Sequence, residues 1–219
     1  GAERLATEAL ATRHGRPVLD GALIPRAIVG LGSLGSGWMT YGSDLDLVFV
    51  HGADADGETD GPRPLDPRTW HARQAQRTVT ALTAQTREGR CYEVDLRLRP
   101  GGGSGAVVVS LPGLRAWYRD RAALWERLVV CRARVVWASD PGFGAQVTAV
   151  LAEASAPPEG PAALVAEARA MRRRQRDELA GESTTIRNLK TGVGGLTDVE
   201  FAVACLQATR SLDHAARGQ

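Results

Sequence analysis

VGLGSLGSGWMTYGSDLDLVFVH, residues 29–51, is the stretch on which the fold turns. Residues 27–31 (AIVGL) read as a strand, the run GSLGSG at 32–37 as a glycine-rich loop, and LDLVFV at 45–50 as a second strand. Asp44 and Asp46 stand two residues apart at the opening of that second strand, so both side chains point to one face of a sheet. Leu45, Leu47 and Phe49 point to the other and anchor the strand in a core. Two fixed carboxylates at this spacing repel unless a divalent cation lies between them. Magnesium takes such oxygen ligands and keeps positions for water and phosphate oxygens. On this stretch alone a plainer reading stays open, in which Ser43-Asp44 caps a turn and Asp46 is solvated at a sheet edge.

A second stretch, CYEVDLRLRP at 91–100, alternates strictly and predicts a half-buried strand ended by Pro100 and three glycines. Glu93, Asp95, Arg97 and Arg99 then share one face, and Val94, Leu96 and Leu98 the other. Paired near the first strand, it brings Asp95 up as a third metal ligand. Arg97 and Arg99 would lie where a triphosphate must be neutralised. A surface ladder of ion pairs would contribute little and leaves the Gly-Ser loop unexplained. Metal ions on Asp44, Asp46 and Asp95 can activate a hydroxyl and stabilise pyrophosphate leaving an α-phosphate. Glycines in the loop let backbone amides approach the phosphates. The candidate nucleotide-binding residues are Gly32, Ser33, Ser43, Arg97, Arg99 and Lys190, with two Mg2+ ions and ATP as the expected ligands.

The same glycines also fit a rival. Gly30-Leu-Gly32-Ser-Leu-Gly35 matches the GxGxxG dinucleotide pattern after a strand. That fold needs a crossover helix before the next parallel strand, and eight residues between Gly35 and Asp44 cannot supply one.

Elsewhere the pattern predicts helices at 3–14 and at about 68–87, with Ala75, Val79 and Leu82 on one face of the latter. It predicts an exposed loop at 52–67, a short strand at 106–111, helix around Leu114 to Leu128, and a strand or junction at 131–138. ASAPPEGPAA at 154–163 reads as a linker, followed by helix at 163–180 and 199–209 with KTGVGGLTD (190–198) between them. The arginine run 172–174 reads as a solvated helix face. Thr197 or Asp198 reads as a helix N-cap. Arg132 and Arg134, two apart, are candidates to face the site. Three domains are expected: an N-terminal helical segment 1–26, a core 27–153 and a helical domain 154–219 cut short at Gln219. A net charge of +2 argues against a nucleic-acid coat. Three scattered cysteines read as buried small hydrophobes in a reducing compartment. No apolar run reaches membrane length and no signal peptide opens the chain, so a cytoplasmic location is expected.

Four blocks carry a family resemblance: VGLGSLGSGWMTYGSDLDLVFVH (29–51), EVDLRLRPGGGSGAVVVSL (93–111), LWERLVVCRARVV (124–136) and NLKTGVGGLTDVEF (188–201). Together they resemble the glutamine synthetase adenylyltransferases. The resemblance implies an α+β fold, with a polymerase-β-like nucleotidyltransferase core, a mixed sheet flanked by helices, followed by the start of a helical bundle. It implies Asp44 and Asp46 as paired metal ligands and Asp95 as the third carboxylate. It further implies AMP transfer from ATP to a tyrosine of glutamine synthetase in nitrogen regulation, with PII signalling protein and glutamine as regulators. A related domain in such enzymes removes AMP by phosphorolysis, and a degenerate copy would sense nucleotide or PII without turnover. Ser33 stands where the family commonly has lysine, and Gly37-Trp38 where it has an Arg-Glu pair. TDGPRPL at 59–65 points to the adenylylating copy.

Overall fold

The computed structural model describes residues 1–156 and 160–217. The chain divides into two compact units: Gly1–Asp120 with Ala133–Val150, and Arg121–Arg132 with the residues from Leu151 onward. The expected linker at 154–163 runs across 157–159, and the expected truncation at Gln219 falls at 218–219. Both lie outside the described residues. No helix among the described residues is long and apolar enough to cross a membrane.

The first unit opens with helix α1 (Ala2–His14) and a hairpin of β1 (Val18–Leu19) and β2 (Ala22–Leu23). Strand β3 (Arg26–Gly30), a single turn α2 (Gly32–Ser36) and strand β4 (Leu45–His51) follow. β3 and β4 pair antiparallel, Ile28 opposite Phe49 and Gly30 opposite Leu47. An antiparallel neighbour excludes the dinucleotide-type crossover. Next come α3 (Pro67–Thr83), a hairpin of β5 (Gln85–Thr86) and β6 (Gly89–Arg90), β7 (Val94–Asp95) and β8 (Val108–Ser110). Helix α4 (Leu111–Asp120) closes this run, and after α5 (Leu124–Val130) of the second unit the chain returns as β9 (Arg134–Ala138).

The result is a mixed α/β fold on a mixed sheet in the order β7-β4-β3-β9, with β8 also on β4. β7 and β8 both lie parallel to β4. Leu45, Leu47 and Phe49 are buried with Ile28 and with Ala75 of α3, and Val79 and Leu82 pack against them. That is the one-faced stripe the sequence predicts. α3 begins at Asp66, whose Oδ1 accepts from Thr69 N at 2.9 Å ahead of Pro67, a favoured start for a helix. It ends four residues before the expected 87, because Ala84 leaves helical geometry and 85–90 turn back as a hairpin.

α1 and α3 meet through a buried polar knot. Glu3 Oε1 accepts from Thr7 Oγ1 at 2.8 Å, Arg26 Nη2 at 3.0 Å and Gln74 Nε2 at 3.1 Å. Trp70, fully buried, donates to Gly15 O at 2.9 Å and carries Arg26 over its ring. His71 stacks on His51 with ring centroids 4.5 Å apart, and among the described residues neither nitrogen of His71 has a hydrogen-bond partner. The 52–67 loop is less exposed than expected. Arg63 N donates to Arg13 O at 3.1 Å, Thr59 is buried, and Gly61 lies so close to His14 and Gly15 that a Cβ there would strike their backbone.

Helix α6 (Pro141–Ser155) follows β9, started by Asp140, whose Oδ1 accepts from Phe143 N at 2.7 Å. It takes in Ala154 and Ser155, the first residues of the expected linker. The second unit consists of α5, the end of α6, α7 (Pro161–Leu179) and α8 (Leu196–Arg217). Leu128, Leu164, Ala168, Ala204 and Ala208 form its core. Ala123 ends the approach to α5 by donating its N–H to Glu126 Oε2 at 2.8 Å. Arg127 ties α5 to the end of α6 by donating to Ala154 O at 3.0 Å and Ala156 O at 3.2 Å.

Candidate active site

β4 and β7 place the acidic residues. Their parallel register sets Leu45 beside Val94 and Asp46 beside Asp95. Register partners in neighbouring strands project to the same face, so Asp46 and Asp95 share one, opposite Leu45 and Leu47 in the core. Asp44 is exposed one residue before β4, in phase with Asp46. The Thr40–Ser43 turn delivers it: Ser43 N donates to Thr40 O, and Ser43 Oγ accepts from Thr40 N, each at 3.0 Å. Gly32, at φ +51°, packs directly on the Asp46 carboxylate, and a Cβ at 32 would occupy the place of its Oδ2. Ser33 lies in the α2 turn, its carbonyl accepting from Trp38 N at 2.9 Å.

The long strand predicted for 91–100 does not form. Only Val94 and Asp95 pair, and the chain turns at once. Asp95 causes the turn: its Oδ1 accepts from Arg97 N at 2.7 Å, a local side-chain bond that competes with the sheet ladder. Arg97 then folds back, Nε to Oδ2 at 2.9 Å and Nη2 to Oδ2 at 2.6 Å. This guanidinium holds the Asp95 carboxyl below its usual range, chiefly by hydrogen bonding. Asp95 in turn raises Arg97, and the charges of Asp44 and Asp46 act in the same direction. The guanidinium is thus paired with Asp95 and lies within the field of Asp44 and Asp46.

Arg99 departs from expectation. Its donors go to backbone carbonyls, Leu96 O at 2.6 Å, Gly103 O at 3.0 Å, Gly105 O at 2.9 Å and Ala106 O at 3.1 Å. It therefore closes the glycine turn instead of sharing a face with Asp95. Lys190 is exposed and belongs to the second unit. Of the candidate pair Arg132 and Arg134, Arg134 reaches the α2 turn, donating to Leu34 O at 3.0 Å. Arg132 pairs instead with Glu200 at 3.0 Å. Among the described residues no three His, Cys, Asp or Glu side chains stand together as a ready metal-binding group.

A hollow of about 620 Å³ is lined by the Met39–Ser43 turn and by Arg90–Glu93, the residues just ahead of Asp44 and Val94. Tyr41 and Tyr92 stand exposed on it. The sequence reading did not single them out; the signal was an aromatic next to each strand opening, in MTYGS and CYEV. Cys91 is exposed rather than buried, because 91–93 stay outside the strand.

In the second unit the glycine-rich block 190–198 is a built turn. Asn188 Oδ1 accepts from Lys190 N and Thr191 N, and Glu182 from Asn188 N and Val193 N. α8 starts at Leu196, so Thr197 and Asp198 sit inside its first turn instead of capping it, and Asp198 Oδ2 reaches back to Gly194 N at 2.6 Å. Arg172 is not a solvated face residue: it is buried and donates to Thr191 O and Gly192 O at 2.9 and 2.7 Å.

Asp46 and Asp95 thus share a sheet face with Arg97 as the counter-ion of Asp95, beside the glycine turn at Gly32. The family model for glutamate-ammonia ligase adenylyltransferase matches residues 1–150. The chain belongs to that family. It is 44% identical over 199 residues to a Xanthomonas campestris protein called bifunctional glutamine synthetase adenylyltransferase/adenylyl-removing enzyme, covering 90% of this chain and 21% of that protein. Proteins of the same name from Stenotrophomonas maltophilia (42% over 194 residues, 87% and 20%) and Pseudomonas aeruginosa (39% over 227 residues, 97% and 23%) are also similar. The chain spans about a fifth of the length of these curated relatives.

Proposed function

We propose that residues 27–153 are a polymerase-β-like nucleotidyltransferase core, followed by a helical domain from 154, and that the chain transfers AMP from ATP to a tyrosine hydroxyl of glutamine synthetase. The observation that carries this reading is the register of Asp46 beside Asp95, on the face where Gly32 yields space. The chemistry of the donors suits magnesium: Asp46 and Asp95 are register partners on one face, with Asp44 two residues before Asp46. Asp44, Asp46 and Asp95 would hold it, and a bound divalent ion supplies charge neutralisation at the α-phosphate and an activated hydroxyl. The residues do the positioning. Asp95, now paired with Arg97, would be the third ligand, and the Arg97 guanidinium would offer donors to a phosphate oxygen. The hollow beside Tyr41 and Tyr92 falls within the size range of small-molecule sites and can receive the nucleoside.

The relatives' name covers both adding and removing the adenylyl group, which supports phosphorolysis by the same carboxylates as the second reading. One experiment tests both. The chain is incubated with unmodified or adenylylated glutamine synthetase, magnesium, and ATP labelled at the α-phosphate or inorganic phosphate. Label transfer with pyrophosphate release is expected for the first reading, ADP release for the second. Asp44→Asn with Asp46→Asn abolishes either. Transfer that survives this double change overturns the site.

A further inference from the structure

α7 carries Arg169, Arg172, Arg173 and Arg176 at spacings of i, i+3, i+4 and i+7, a single helix face. Like charges at these spacings destabilise a helix, so the stripe calls for a counter-charge. Across from it, α8 offers Asp198, whose Oδ1 lies 2.6 Å from Arg172 Nε. Its other oxygen is shared with the Gly194 amide. Among the described residues neither Arg169 nor Arg173 has an acidic partner, and both are exposed.

Between these helices lies a cavity of about 390 Å³. The four arginines and Asp198 line it, and Val165, Ala168 and Phe201 give it an apolar wall. Arg172 sits at this cavity with only 9% of its surface exposed. Its Nη2 is spent on the carbonyls of Thr191 and Gly192, and its Nε faces Asp198. Nη1 is buried with no hydrogen-bond partner. A buried donor without an acceptor is costly, and this one belongs to a residue fixed on two other sides by the 190–198 turn.

We infer that the cavity between α7 and α8 is a binding site for a phosphate-type oxyanion, free or as the tail of a nucleotide. Arg172, pinned by the 190–198 turn with Nη1 buried, adds fixed positive charge to its wall. Arg169 and Arg173 supply charge at its mouth, with the planar, forked donors that suit phosphate oxygens. The apolar wall accommodates an uncharged portion of the ligand.

The test uses the whole chain with metal chelated and at low ionic strength. Inorganic pyrophosphate and ATP are titrated separately by calorimetry. Arg169→Gln/Arg173→Gln is expected to weaken binding about tenfold or more. Arg73→Gln/Arg77→Gln, an equal charge change on exposed arginines of α3, leaves it unaltered. Circular dichroism and Tm check that each variant is folded. Pyrophosphate binding lost in the first variant alone assigns a free oxyanion. ATP binding lost there, with pyrophosphate never bound, assigns a nucleotide tail. Binding of neither probe, or equal loss in both arginine pairs, overturns the site.

Discussion

At Gly32 the backbone takes φ +51° and the space a Cβ would fill is held by the Asp46 carboxylate. Two effects therefore combine in Gly32→Ala. The left-handed backbone costs an L-residue about 1–2 kcal/mol, and the methyl pushes Asp46 off the shared face. Tm is expected to fall by roughly 5 °C, and the proposed adenylyl transfer to be lost; a variant that transfers AMP at the parent rate would contradict the geometry. Arg97 differs in kind. It is exposed, with 81% of its side-chain surface open, yet it occupies Asp95 completely. Replacing it by Gln removes a cation that competes for the carboxylates and, on the proposed reading, a donor to phosphate. Manganese binding without nucleotide, read by electron paramagnetic resonance, is expected to tighten about tenfold while the KM for ATP rises. Unchanged manganese affinity would show that Arg97 does not guard the site.

At the scale of elements, β7 is the weak one: two rungs on β4 and a backbone bond from Leu45 N to Glu93 O at 2.9 Å. A one-residue slip would turn Asp95 to the other face. Arg99 prevents it by clasping four carbonyls of the 96–106 segment. Arg99→Lys cannot reproduce a planar fork. Amide exchange at Val94 and Asp95 is expected to accelerate at least tenfold while β8, anchored separately on β4, keeps its protection. Equal exchange in the two strands would refute the clasp. β7 also shows what a sequence hides. Strict alternation in EVDLRLR marks a strand, but alternation cannot report that Asp95 prefers the amide of Arg97 to a ladder partner. β3, β4 and α3 were legible, because their apolar periodicity is set by burial against each other. α6 was passed over although Asp140-Pro141 is a helix start, since glycines at 142 and 144 and few charges conceal its period. Which carboxylates share a face was readable from spacing. How Arg97 and Arg99 are spent was not, because both answers depend on where the glycine turn brings backbone carbonyls.

Over the whole molecule, each unit has its own buried cluster, one around Leu47 and Phe49, the other around Leu164. Leu164→Ala leaves a cavity costing about 3 kcal/mol. Exchange of amides in α5, α7 and α8 is expected to quicken, with β3 and β4 unaffected; equal acceleration in β4 would mean the two clusters unfold as one. The stacked imidazoles of His51 and His71 bear on a different property, tolerance of acid. Burial, then the neighbouring His51 and Arg26, depress the His71 pKa to about 2, and burial lowers His51 as well. In the unfolded chain a histidine takes up a proton near pH 6.5, so stability is complete above that value. It drains away as the medium becomes more acidic, by about 1.4 kcal/mol per pH unit for His71, with His51 acting in the same direction. Urea midpoints followed from pH 7 to pH 4 should therefore fall steeply, and His71→Phe should remove about one proton's worth of that slope. The ring pair ties the endurance of the first unit to neutral surroundings, whatever its carboxylates would tolerate alone.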